Sequence, residues 1–287
     1  MQITKKKQNP PWEDLDHGIL SKIFSCLSPQ DQLFGPPYVC RAWLSATLDT
    51  LFRDSKLDLR LIDSLEEKNQ QSRFTHLVRI AIDRGRNWVS IHLPKKHSFG
   101  YFAIVYIAER TTSVTSVYWP TDFVSYLPVY ISLLYWQKIR VFHARIDPKQ
   151  GFVVLSQLAD FCKNLEEISI HGKITEKEAT CIIQGFPTLK VVDLSESNLS
   201  SEALGMFLSG RLSNLREFNI LHCLVLDDEG KNVLEEDYSN YCYFKAWRKE
   251  ILERASNLKC LKKFMHCLEK CCQQCLDNNV LRKNNDK

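Results

Sequence analysis

The 287-residue chain is 44% hydrophobic and 25% charged, the balance of a soluble globular protein. Its 38 basic and 34 acidic residues leave a net charge of +4, too little for a partner bound through nucleic-acid phosphates. The opening MQITKKKQNP lacks the apolar centre of a secretory signal, and the longest uncharged apolar-rich stretch, Phe123 to Gln137, is too short to cross a bilayer.

Lys5-Lys6-Lys7, within a flexible stretch expected over 1–9, reads as a solvated terminus or as a weak nuclear-import signal. From Asp16 to Leu27, the apolar residues Ile19, Leu20, Ile23, Phe24 and Leu27 recur at helical spacing and predict a helix of about three turns. Ser28-Pro29-Gln30-Asp31 predicts a second helix start: Ser28 caps, Pro29 suits the first position, and Asp31 meets the positive end of the dipole. Leu33 and Phe34 follow, with Gly35 as the expected stop. Pro36-Pro37 opens a third helical segment carrying Val39, Trp43, Ala46 and Leu48. Three short helices over residues 10–55 bury too little surface to stand alone, so either the rest of the chain or a partner covers them.

WEDLDHGILSKIFSCLSPQDQLFGPPYVCRAWLSA resembles an F-box, the module that docks substrate receptors onto the Skp adaptor of a cullin-RING ubiquitin ligase. The matching features are Leu15 and an acidic residue before Ile19-Leu20, the Ile23-Phe24-x-x-Leu27 run, the Leu33 helix and Val39-Cys40-Arg41-x-Trp43. Leu15-Asp16 stands where the family has Leu-Pro. The resemblance implies that Leu15, Ile19, Leu20, Ile23, Phe24, Leu27, Leu33, Val39, Cys40 and Trp43 form the adaptor-docking surface and its internal support. Which residues do which is left open by the sequence.

Beyond Leu57 a pattern apolar-x-x-apolar-x-apolar recurs as WVSIHL, VTSVYW, IRVFHA, LEEISI, LKVVDL and LREFNI, starting at Trp88, Val114, Ile139, Leu165, Leu189 and Leu215. The intervals are 26, 25, 26, 24 and 26 residues. Each block suits a short strand. Helix-like stretches such as YFAIVYIAER, GFVVLSQLADFC, TEKEATCIIQGF and SSEALGMFLSG follow most of them. A strand and a helix at this period predict an α/β leucine-rich-repeat solenoid over 88–240, parallel strands on its concave face and helices on its convex face. Residues 56–87 form a linker and a helix from Phe74 to Arg84 closed by Gly85, and 241–287 form a helical cap and polar tail. LREFNILHCLVLDDEGKNVL resembles the cysteine-containing repeat of F-box proteins, with Cys223 at the polar turn position and Leu226-Asp227-Asp228-x-Gly230 opening a helix. Asp122, Asp147, Lys173 and Ser197 hold that turn position elsewhere.

In each strand the residue between the last two apolar positions faces out from the concave sheet, giving a column His92, Tyr118, His143, Ser169, Asp193 and Asn219. The position after the strand adds Arg145 and His171, alongside Pro94, Pro120, Ser195 and Leu221. Aromatic, His and Arg side chains together suit recognition of a protein substrate, or else form a solvated face. The histidines lack companions at metal-ligand spacing, so no metal is expected there.

Eleven cysteines without a secretory signal imply reduced thiols, and so a nuclear or cytoplasmic protein. Cys267, Cys271, Cys272 and Cys275, near Cys260 and His266, admit packing, zinc or redox roles. This tail, with ILERASNLKCLKKF before it, is similar to the C-terminal segment of plant F-box/LRR proteins. No hydrolase, metalloprotease, P-loop or dinucleotide motif occurs, nor a RING-type Cys/His array. The resemblance therefore implies a non-catalytic, cofactor-free receptor whose partners are an Skp-family adaptor and, through it, cullin and RING subunits. A protein substrate is its other partner, with no nucleic acid and no membrane. The alternatives are a non-catalytic repeat scaffold whose first helices merely cap the solenoid, and a receptor holding a small molecule on the concave face.

Overall fold

A computed structural model describes residue 12 and residues 15–85, 87–96, 100–120, 127–147, 149–233 and 241–268. The chain divides into two compact units, Met1–His97 and Ser98–Lys287.

In the first unit, α1 (His17–Phe24), α2 (Pro29–Phe34) and α3 (Arg41–Leu51) are followed by β1 (Lys56–Asp58), α4 (Lys68–Asp83) and β2 (Ser90–His92). Asp16 caps α1 by accepting from the amides of Gly18 at 2.7 Å and Ile19 at 3.3 Å. The helix ends about a turn earlier than its apolar spacing predicts, because the amides of Cys26 and Leu27 tighten onto carbonyls three residues back. Ser28 caps α2 through the Asp31 amide at 3.1 Å, with Pro29 in its first turn. Gly35 ends α2 at φ −106°, without the left-handed turn that favours glycine, whereas Gly85 beyond α4 does adopt it, at φ 68°.

Phe52, at the end of α3, packs 6.2 Å from Phe74 of α4 and 6.1 Å, edge-on, from Trp88. All three rings are fully buried, so the end of α3 shares a core with α4 and Trp88. The expected linker at 56–87 holds a strand: β1 pairs in parallel with β2, Leu57 beside Ile91 and Asp58 beside His92.

The second unit runs α5 (Tyr101–Arg110), β3 (Ser116–Trp119), α6 (Leu127–Tyr135), β4 (Val141–Arg145), α7 (Gly151–Phe161), β5 (Glu167–His171), β6 (Lys173–Ile174), α8 (Glu176–Gly185), β7 (Val191–Asp193), β8 (Asn198–Ser200), α9 (Ser201–Phe207), β9 (Glu217–Ile220), β10 (Leu224–Leu226), α10 (Tyr241–Asn257) and β11 (Lys263–His266). Strands β3, β4, β5, β7, β9 and β11 form one parallel sheet in that order, consistent with a leucine-rich-repeat solenoid. The apolar positions of the five blocks starting at Val114, Ile139, Leu165, Leu189 and Leu215 are all buried. Successive helices from α5 to α9 pack side by side. At Gly185 an added Cβ would stand 2.5 Å from the Ala159 Cβ, so glycine lets α8 close on α7.

β11 has no counterpart among the sequence blocks, yet Phe264 pairs with Phe218 in register and their rings stack at 5.6 Å. A smaller parallel sheet, β6-β8-β10, leads into α8 and α9. After β10, residues 227–233 form a turn with Gly230 at φ 76° and an antiparallel bridge from Leu226 to Asn232, where the repeat pattern led us to expect a helix start. Asp227 explains the turn, since its carboxylate accepts from the amides of Glu229 and Lys231. Lys5–Lys7, Asp122, Cys271, Cys272 and Cys275 lie outside the described residues.

Candidate protein-docking surfaces

The apolar residues of α1–α3 separate into two sets. Leu20, Phe24 and Leu33 are buried, and Leu20 and Phe24 form a cluster with Ala46. Leu15, Leu27 and Trp43 are half-buried against that cluster. The Trp43 ring lies 5.1 Å from Phe24, and its Nε1 donates to the Trp12 carbonyl at 3.0 Å. Ile19, Ile23 and Val39 instead face solvent, 51%, 44% and 52% exposed, and Tyr38 joins them. Cys40 is half-buried. Sequence reasoning did not single out Phe34 and Tyr38 for this surface. The Arg73 guanidinium of α4 covers both rings, 4.7 and 5.3 Å from their centroids.

In the second unit the expected column is a run of laterally paired residues: Tyr118 with His143, His143 with Ser169, Ser169 with Asp193 and Asp193 with Asn219. His92, in the first unit, pairs with Asp58, a residue that the sequence pattern did not flag. His143 Nε2 meets Glu167 Oε1 at 2.7 Å, and the His143 ring lies 4.6 Å from Tyr118. Partial burial, reinforced by the Glu167 charge, pushes the Tyr118 hydroxyl above the usual tyrosine value. Glu167 stands two residues before Ser169 on the same face of β5, a position whose parity could have identified it.

Ser169 is only 2% exposed, and its Oγ lies 3.1 Å from His171 Nε2. His171 Nδ1 in turn lies 2.6 Å from the Ser195 carbonyl. Serine, imidazole and orienting acceptor fall in line, but burial withholds the hydroxyl from a substrate. Ser169 carries a shorter side chain than its neighbours His143 and His171. Arg145 is exposed, whereas Asp193 and Asn219 are half-buried. Their side chains accept from the amides of Ser195 and Leu221 at 2.9 and 3.0 Å, fixing the turns that end β7 and β9.

Below these turns Ser197 Oγ donates to the Ile170 carbonyl at 3.1 Å, and Cys223 Sγ donates to Leu194 at 2.9 Å. Cys267 Sγ lies 3.5 Å from His222 Nδ1. Among the described residues no group of three or more His, Cys, Asp or Glu side chains is arranged to hold a metal, and no helix is long and apolar enough to cross a membrane.

No model of a known protein family matches the chain. An F-box/LRR-repeat protein of Arabidopsis thaliana is 23% identical over 278 residues, covering 92% of this chain and 86% of that protein.

Proposed function

We propose that the protein is the substrate-recognition subunit of an Skp–cullin–F-box ubiquitin ligase in the nucleus or cytoplasm. Its α1–α3 segment is an F-box that docks the Skp adaptor, and through it cullin and RING subunits. Its repeats bind a protein substrate. The observation that carries this reading is the outward apolar set of Ile19 and Ile23 on α1 and Tyr38 and Val39 between α2 and α3, exposed although the inner residues Leu20, Phe24 and Leu33 are already packed. An apolar patch left over after a core is filled marks a surface for association. The F-box resemblance gives the class of partner, and the distant F-box/LRR-repeat relative supports it.

Substrate contact is assigned to His92 in the first unit and to Tyr118, His143, Arg145, His171, Asp193 and Asn219 in the second, with Ser169 as support. The chain then contributes proximity rather than chemistry, raising the effective concentration of a substrate lysine beside the ubiquitin thioester. The test is capture of the full chain by a purified Skp adaptor. Ile23→Asp and Val39→Asp are expected to lower capture at least tenfold without shifting the melting temperature. Full capture by both variants overturns the docking assignment.

A further inference from the structure

The residue preceding each strand of the large sheet is locked to its neighbour by a repeated pattern of paired amides. The Arg140 carbonyl accepts from the amides of Glu166 and Glu167, Glu166 from Lys190 and Val191, Lys190 from Arg216 and Glu217, and Arg216 from Lys262 and Lys263. Arg140, Glu166, Lys190, Arg216 and Lys262 are therefore successive rungs at one edge of the sheet, about 4.8 Å apart. In the first three rungs the chain balances its own charge. Glu166 Oε1 accepts from Arg140, and Glu166 Oε2 accepts from Lys190 Nζ at 2.7 Å. Hydrogen bonds from Lys190 and then Arg140 hold its carboxyl below the usual carboxylate range.

The next two rungs break that alternation. Arg216 and Lys262 are exposed neighbours, and among the described residues neither is ion-paired with a carboxylate. The adjacent Glu217 faces Lys263 instead, at 3.9 Å. Like charges on paired strands repel unless an anion lies between them.

We infer that the Lys190–Arg216–Lys262 edge docks an acidic, Asp- or Glu-rich segment of a protein partner. This rests on the reading of the repeats as a protein-binding array and names the chemistry of what they bind. Glu166 is the template: one carboxylate bridges cations on the rungs to either side of it. A partner carboxylate seated over Arg216 and Lys262 repeats that arrangement, with the Arg fork supplying two donors. A polyphosphate chain needs an unbroken cationic track, which the interleaved Glu166, Glu167 and Glu217 and the small net charge do not supply, whereas a carboxylate needs only the adjacent Arg216 and Lys262.

The test is fluorescence anisotropy of a labelled ten-residue polyglutamate peptide with the full chain. The peptide is expected to bind saturably and to weaken as salt rises, while a ten-residue polyglutamine peptide shows no binding. Arg216→Glu combined with Lys262→Glu, with an unchanged melting temperature, lowers affinity at least tenfold. Lys177→Glu, at an exposed position of α8, leaves it unchanged. Equal binding of the two peptides, indifference to the double variant, or tighter binding of a ten-nucleotide single-stranded RNA overturns the inference. Adaptor capture, measured on the same preparations, separates the two readings. Capture without peptide binding sinks this edge alone, and peptide binding without capture sinks the ligase assignment alone.

Discussion

Cys223 occupies in one repeat the place that Ser197 holds in the repeat before. Each donates from a buried side chain to a carbonyl of the preceding repeat, Cys223 to Leu194 at 2.9 Å and Ser197 to Ile170 at 3.1 Å. A neutral hydrogen bond of this kind is worth about 1 kcal/mol, and leaving its acceptor unpaired costs somewhat more. Cys223→Ala is therefore expected to destabilise the chain by about 1–3 kcal/mol in urea unfolding, and Cys223→Ser by less. Equal losses for the two substitutions would show that the thiol fills space rather than bonds.

The same burial governs thiol chemistry. Burial pushes the Cys223 and Cys162 thiols up to about 12, so at pH 8 both are essentially protonated. Cys26 is exposed. Iodoacetamide at pH 8, read by peptide mass spectrometry, should modify Cys26 within minutes and reach Cys162 and Cys223 only after denaturant is added. Rapid native labelling of Cys223 would contradict its place beneath the turn.

Stability and the proposed adaptor docking should come apart within α1. Leu20→Ala and Phe24→Ala empty a packed cluster and are expected to cost about 2–5 kcal/mol. Ile23→Asp alters an exposed position and should shift stability by less than about 0.5 kcal/mol. Trp43→Ala removes a ring packed on Phe24, so it tests the core rather than the surface. Thermal melts of these four variants check the division, and a melting-temperature loss for Ile23→Asp as large as that for Leu20→Ala would refute it.

Acid should act through Asp58. Burial raises its pKa, but hydrogen bonds from Arg60 and Lys56 outweigh that and hold it at about 2. A carboxylate depressed on folding stabilises the fold above its unfolded value of about 3.9, and that contribution drains away as pH falls towards 2. Asp58→Asn should therefore melt below the parent chain at pH 7, with the gap closing between pH 5 and pH 2. Solvent screening keeps the gap to about 1 kcal/mol. A gap that stays constant with pH would mean that the substitution acts by packing alone.

Much of the array was legible because two periods coincide. Side chains alternate along a strand, and blocks recur every 24 to 26 residues, so Tyr118, His143, Ser169, Asp193 and Asn219 had to align once the strands paired. β1 and β11 escaped that reading. Leu57 precedes Ile91 by 34 residues, and the LKKFMH block begins 46 residues after Leu215, so neither keeps the period. Ser169 escaped for another reason: pattern gives the face on which a residue stands, but the height of its neighbours sets its exposure.

Periodicity and turn chemistry by themselves determined the α/β repeat, its strand faces and the caps at Asp16 and Ser28. These depend on local geometry and recur along the chain. Only the tertiary structure decided which apolar residues of α1–α3 turn inward. Ile19 and Leu20 are adjacent on one amphipathic helix, equally apolar and equally spaced, yet Leu20 is buried and Ile19 is not. The direction from which α3 packs makes that distinction, and the pairing of distant strands likewise sets Arg216 beside Lys262. Contacts between segments far apart in sequence leave no local pattern to read.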